Sequence, residues 1–189
     1  MEDPSFSKLA CERLIIRRFE PADAALLAAY RSDAEIARYQ AWERPYSRSE
    51  AESFIASLRG LAPGTPGTWF QFAIALVPSR TLIGDVALRT VRDEPRQAEL
   101  GFTLAGSHQG HGYATEAVRC VVGCAFARLA MHRVFSLTDA RNDRAQRLLE
   151  RLAFRREGEL RESTWFQGAW ASELLYAQLE SERRPERAV

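Results

Sequence analysis

Gln109-Gly110-His111-Gly112-Tyr113-Ala114-Thr115 is the stretch with the clearest chemical content. Two glycines one residue apart allow a tight backbone turn with no Cβ in the way. A long amphipathic pattern starts at once, so the unpaired N–H groups of a helix's first turn and the positive end of its dipole face back into the turn. Such a position takes a phosphate. A Walker loop requires Gly-Lys-Ser/Thr, and this turn carries no lysine, which excludes triphosphate hydrolysis by that device. The dinucleotide fingerprint requires a third glycine where this chain has Thr115, and it belongs to an early βαβ unit.

Other side chains with chemical potential cluster nearby in sequence. In Ala98–Leu104 the alternation of a strand puts Glu99, Gly101 and Thr103 on one face and Ala98, Leu100, Phe102 and Leu104 on the other. Glu116 falls in the first helical turn, where the dipole alone favours a carboxylate. His108 and His111 flank the turn, and His132 opens a strand. Asn142 precedes Asp143 as a helix N-cap would. Aromatic residues concentrate in two loop regions, Tyr39 to Tyr46 and Trp165 to Trp170. Aromatics in loops suggest the wall of a pocket, with ordinary packing as the alternative. Trp42 is the foremost choice, with Tyr39 and Trp165 beside it.

The elements that position these residues follow from periodicity. Strands are expected at 14–19, 69–76, 82–89, 98–104, 133–138, 154–160 and 171–179, those at 69–76, 82–89 and 98–104 forming a meander. Helices are expected from Pro21 to Tyr30, Ala34 to Tyr39, Ala51 to Leu58, Gly112 to Leu129 and Asp143 to Leu152. Ser47 and Glu50 have the spacing of a capping box before the third helix. In the fourth, Ala114, Val118, Val121, Ala125 and Leu129 form one apolar face. The expected class is α/β (α+β): one domain whose mixed, mostly antiparallel sheet of about six or seven strands carries helices on both faces. Residues 1–11 read as an N-terminal extension, 12–179 as the domain and 180–189 as a polar, frayed tail.

Composition narrows the function class. The chain has 189 residues, 46% of them hydrophobic and 27% charged, with a net charge of +1. That balance argues against a dedicated nucleic-acid binder. Lys8 is the single lysine among 26 basic residues, a bias read as compositional. No apolar run is long enough to span a bilayer, and the acidic start lacks the form of a signal peptide, so a cytoplasmic location without membrane association is expected. Three cysteines, with Cys120 and Cys124 one helical turn apart, suit neither a disulfide framework nor a zinc pattern and read as small core residues. No metal is expected, and oligomeric state stays open, a homodimer included.

The order Gln-x-x-Gly-x-Ala between a strand and a helix resembles the pyrophosphate-binding motif of the GNAT superfamily of N-acetyltransferases. Ala98–Leu104 resembles the preceding strand of that family, and Asn142–Phe154 its second characteristic block. The ending Arg156-Glu157-Gly158-Glu159-Leu160-Arg161 is similar to the RimJ/RimL branch, which acetylates N-terminal amines of ribosomal proteins. The resemblance implies that backbone N–H groups across Gln109, Gly110, His111, Gly112, Tyr113, Ala114 and Thr115 hold the pyrophosphate of acetyl-CoA. It implies that Phe102, Thr103 and Leu104 pair with the pantetheine arm and that Asn142 hydrogen-bonds beside it. Two hydroxyls common among relatives are missing, replaced by Ala145 and Leu149, and Ala153 stands where a glycine is usual.

Acetyl transfer from a thioester to an amine needs a neutral amine and a proton for the leaving thiolate. About a third of α-amines are neutral near pH 7.5, against about 0.1% of lysine side chains. Glu99 is the candidate base, with an ion-paired strand glutamate as the equal alternative. Tyr176 or a water is the candidate acid. Three functions fit: an acetyl-CoA-dependent N-acetyltransferase acting on an N-terminal amine, the same enzyme acting on a small amine such as an aminoglycoside or polyamine, or a non-catalytic acyl-CoA-binding module.

Overall fold

The computed structural model describes Phe6, residues 8–40 and residues 42–183. Two short strands, β1 (Lys8–Ala10) and β2 (Leu14–Arg17), lead into the helices α1 (Ala24–Ser32), α2 (Ala34–Ala37) and α3 (Arg48–Ser57). The meander follows as β3 (Trp69–Leu76), β4 (Leu82–Thr90) and β5 (Gln97–Leu104). Next come α4 (Tyr113–Ala127), β6 (Arg133–Asp139), α5 (Asp143–Arg151), β7 (Arg155–Phe166) and β8 (Ala169–Leu179). The strands form one eight-stranded sheet in the order β1-β2-β3-β4-β5-β6-β8-β7. Every neighbouring pair is antiparallel except β5 with β6.

The eighth strand is β1, a three-residue edge in the segment read from sequence as an extension. It buries Leu9 against the core. At the other end Glu180–Glu182 form a 3-10 turn, and Glu182 pairs with Arg155. Residues 184–189 of the expected tail lie outside the described residues.

α4 packs on one face of the sheet through Ala117, Val118, Val121, Val122, Ala125 and Phe126. On the opposite face α1 and α3 pack on one another over a smaller core of Leu27, Ile36, Ile55, Ala73 and Leu82. The α3 capping box forms as its spacing foretells: Ser47 Oγ accepts from Glu50 N, and the Glu50 carboxylate accepts from Ser47 N. The Tyr30 hydroxyl donates to Asp85 at 2.5 Å and ties α1 to β4.

The cysteine reading is corrected in part. Cys124 is free and buried, but Cys11 and Cys120 form a disulfide with Cα atoms 6.6 Å apart. Their 109-residue separation hid the pairing, because the fold brings the turn between β1 and β2 beside α4.

The feature that makes a site is the parting of β5 from β6. Their parallel register runs only from Gln97↔Arg133 to Glu99↔Phe135. Beyond it β5 continues to Leu104 and β6 to Asp139 as separate arms of a V. Backbone groups along the inner edges of those arms lose a strand partner, and buried backbone polar groups demand one.

Candidate functional site

Two cavities meet at the V. A cleft of about 1020 Å³ runs from Phe102–Leu104 along the turn at Gln109–Thr115 to the start of α5. A smaller cavity of about 220 Å³ lies deeper between Leu100–Phe102 and Ser136–Asp139, closed by Thr164, Phe166 and Glu173 of the β7–β8 hairpin. The two share Tyr39, Gln40, Phe102, Asn142 and Ala145 as walls.

The turn has the conformation its glycines suggest. Gly110 and Gly112 both have φ of 81°, in the left-handed region. Gly112 is the N-cap of α4 and supplies no side-chain cap, so the first-turn N–H groups face the cleft without a protein acceptor among the described residues. Gln109 fastens the turn: its Nε2 donates to Leu104 O at 3.0 Å, and its Oε1 accepts from Arg144 Nη1 at 2.8 Å. Arg13 braces the other side, donating to His111 O at 3.0 Å and lying 4.7 Å over the Tyr113 ring. Glu116 accepts from the Arg13 backbone N at 2.7 Å and from Arg13 Nε at 2.8 Å, a structural use of that carboxylate.

Sequence reasoning missed the positive wall of the cleft. Arg141, Arg144, Arg147 and Arg151 all line it. On α5 the last three stand at spacings of three and four, while Leu148 and Leu149 turn inward. That periodicity was readable, but the arginine bias of the whole chain masked it. Donors in a helix-start turn facing a row of guanidinium groups can bind a polyphosphate from both sides. Asn142 serves two purposes: its Oδ1 accepts from Ala145 N at 3.2 Å as the α5 cap, and the residue walls both cavities.

Glu99 stands one residue before the cavity wall and faces Arg89 across the β4–β5 ladder. The Arg89 guanidinium donates to its carboxylate. Burial nevertheless pushes the Glu99 carboxyl above the usual range, opposed by Arg89 and aided by the nearby charge of Glu173. Gly101 lines the cavity, although a Cβ there would meet its neighbours at ordinary contact distance, so clearance does not require glycine.

The other predicted residues divide. Tyr39 walls both cavities and donates from its hydroxyl to Arg141 O at 3.2 Å. Trp42 lines neither: its Nε1 donates to Arg31 O at 2.9 Å, and the Arg31 guanidinium lies 4.6 Å over its ring, in the packing around α1 and α3. Trp165 is 61% exposed and packs edge-on against Trp170, while Thr164 and Phe166 on either side line the cavity. Strand alternation therefore moves the aromatic wall one residue along, to Phe166. Tyr176 is buried, and its hydroxyl donates to Glu150 at 3.0 Å. It lines neither cavity, so the geometry does not bring this phenol to the V. His108 contacts Ser107, and His111 stacks beside Tyr113 at the turn, away from the smaller cavity. Among the described residues no helix is long and apolar enough to cross a membrane, and no group of three or more metal-ligating side chains converges.

A mixed sheet parted between two parallel strands, with a glycine turn and a helix start at the open end, frames the two cavities. Residues 13–155 match the family model described as acetyltransferase (GNAT) domain. The chain belongs to the GNAT acetyltransferase family, and it is an N-acetyltransferase that delivers an acetyl group to an amine. It is similar to the uncharacterized N-acetyltransferase p20 of Bacillus licheniformis, 29% identical over 174 residues that cover 92% of this chain and 97% of the relative. A spermidine N(1)-acetyltransferase of Vibrio cholerae is 30% identical over 91 residues, covering 48% of this chain and 53% of that protein. Among solved structures, RimJ of Mycobacterium smegmatis in complex with CoA-disulfide superposes with a TM-score of 0.83 at 22% identity, covering 96% of this chain and 91% of the other.

Proposed function

We propose that the larger cleft binds acetyl-CoA, and that the acetyl group passes by direct attack to an N-terminal α-amine of a protein or peptide, of the ribosomal-protein type. The observation that carries the reading is the junction of the two cavities at the V. A donor anchored by its pyrophosphate at Gln109–Thr115 and by its arm along Phe102–Leu104 would present the thioester where the smaller cavity opens.

The acceptor class follows from the base. Burial lifts the Glu99 carboxyl above its usual range and Arg89 opposes that lift, and even so a carboxylate is a weak base beside an alkylammonium. An α-amine is already neutral in about a third of molecules near pH 7.5, so a weak base suffices, whereas a lysine or polyamine nitrogen needs a stronger one. The amine nitrogen attacks the thioester carbon, the C–S bond breaks, and the amine proton passes towards Glu99. Because the Tyr176 hydroxyl is committed to Glu150, water is the better donor to the thiolate.

Thiol release measured with acetyl-CoA against free-N-terminus peptides, spermidine and an aminoglycoside tests the reading. Turnover on peptides supports it. Turnover confined to the small amines supports a small-amine enzyme, and tight acetyl-CoA binding without turnover on any acceptor supports a binding module.

A further inference from the structure

We infer that Glu173 is a specificity-determining residue that holds the incoming acceptor amine as its ammonium in the smaller cavity, from which one proton must leave before the nitrogen can attack. The inference rests on that cavity being the acceptor site, as proposed above. Two carboxylates, Asp139 and Glu173, line it and Glu99 stands one residue before its wall; Asp139 and Glu99 are each paired with an arginine. Asp139 accepts from Arg141 Nε at 2.8 Å and from Arg141 Nη2 at 2.6 Å. Glu99 is paired with Arg89. Glu173, the β8 partner of Asp139 in the β6–β8 ladder, has no basic side chain within ion-pair distance among the described residues.

The Glu173 carboxylate is nonetheless fixed. Its Oε2 accepts from Thr164 Oγ1 at 2.7 Å and from Ser163 Oγ at 3.0 Å, both on the facing strand of the hairpin. Oε1 has no partner among the described residues. An ammonium would supply both charge and donors to that free oxygen. Phe102, Leu137 and Phe166 form apolar walls around the same space. The cavity thus suits one primary ammonium on a small organic substituent, and it discriminates against neutral alcohols and amides. One uncompensated carboxylate matches one positive charge, which favours a monocationic amino terminus over a polyamine.

The test compares wild type, Glu173→Gln and Glu173→Asp with acetyl-CoA and two acceptors: a lysine-free peptide with a free N-terminus, and spermidine. Gln preserves acceptance from Thr164 and Ser163 while removing the charge. The expected result is a peptide KM raised about tenfold or more in E173Q. Acetyl-CoA affinity should be unchanged, kcat should move far less than KM, and E173D should recover most of the loss. An unchanged peptide KM, or a matching loss of acetyl-CoA affinity, overturns the inference. A second arm needs no turnover: in the presence of CoA, methylammonium should raise the melting temperature of wild type and not of E173Q. Equal responses overturn the role of Glu173 even if neither acceptor is acetylated, whereas a wild-type-only response with no turnover sinks the acceptor reading and leaves the amine site standing.

Discussion

Arg89 on β4 and Glu99 on β5 are cross-strand partners, and the guanidinium of the first donates to the carboxylate of the second beside the mouth of the V. Burial raises the Glu99 pKa, and Arg89 holds the rise in check. A base must be ionised to act, so kcat/KM for the acceptor should climb as pH rises through this elevated value. Arg89→Ala removes a lowering influence and should move the acidic limb to higher pH. Glu99→Gln should abolish that limb and reduce kcat about 10²- to 10⁴-fold with acetyl-CoA affinity retained. An acidic limb that stays in place in R89A, or survives in E99Q, rejects Glu99 as the base. The stability sign is opposite: a carboxyl with a raised folded-state pKa favours the fold below its unfolded pKa, and that contribution is lost as pH rises through the folded value.

Gly112 caps α4 with φ of 81°, and a Cβ added there would lie 3.4 Å from Arg13 Nη2. Gly112→Ala should cost about 1–2 kcal/mol of stability from the left-handed backbone alone. It should also weaken CoA binding by disturbing the donors of the first turn. Calorimetric titration with CoA checks this, and unaltered affinity would remove the turn from the binding site.

Arg144 and Arg151 border the cleft from α5, Arg151 reaching to 3.5 Å from Thr115 Oγ1. Replacing both by Ala should reduce CoA affinity by about tenfold or more, since charge-assisted contacts to phosphate would go. It should also flatten the dependence of affinity on ionic strength. A double variant that binds CoA as wild type does, with the same salt dependence, would place the phosphates elsewhere.

Ala153 sits at φ of 62° just past the end of α5. There Ala153 N donates to Glu150 O and Phe154 N to Leu149 O, both at 3.0 Å, the pair of bonds that closes a helix through a left-handed residue. Ala153→Gly should therefore stabilise the protein by about 0.5–1 kcal/mol, the relief of αL strain exceeding the entropy of glycine. Thermal unfolding would show a small rise in Tm with activity unchanged; a fall in Tm contradicts the strain.

Much of the site was legible because short-range chemistry fixes it. Two glycines and an immediate helix start mark the left-handed turn at Gln109–Thr115, and Ser47 with Glu50 marks the α3 cap. What escaped depends on contacts between distant segments. Three residues of β1 carry too little pattern to announce a strand. Cys11 and Cys120 meet only through the fold. Trp165 and Phe166 differ by one residue, and strand parity decides which of them reaches the cavity. Glu173 reads as one more strand carboxylate until its neighbours Asp139 and Glu99 are seen to be paired.

In the proposed function the two cavities joined at the V carry acetyl from acetyl-CoA to an α-amine. Mass spectrometry of a peptide bearing both a free N-terminus and an internal lysine, incubated with acetyl-CoA and enzyme, addresses it most directly. A single acetyl group on the N-terminal nitrogen is expected, with an N-blocked version of the same peptide left unmodified. Acetylation of the lysine in the blocked peptide, or modification of spermidine with the free peptide untouched, would contradict it.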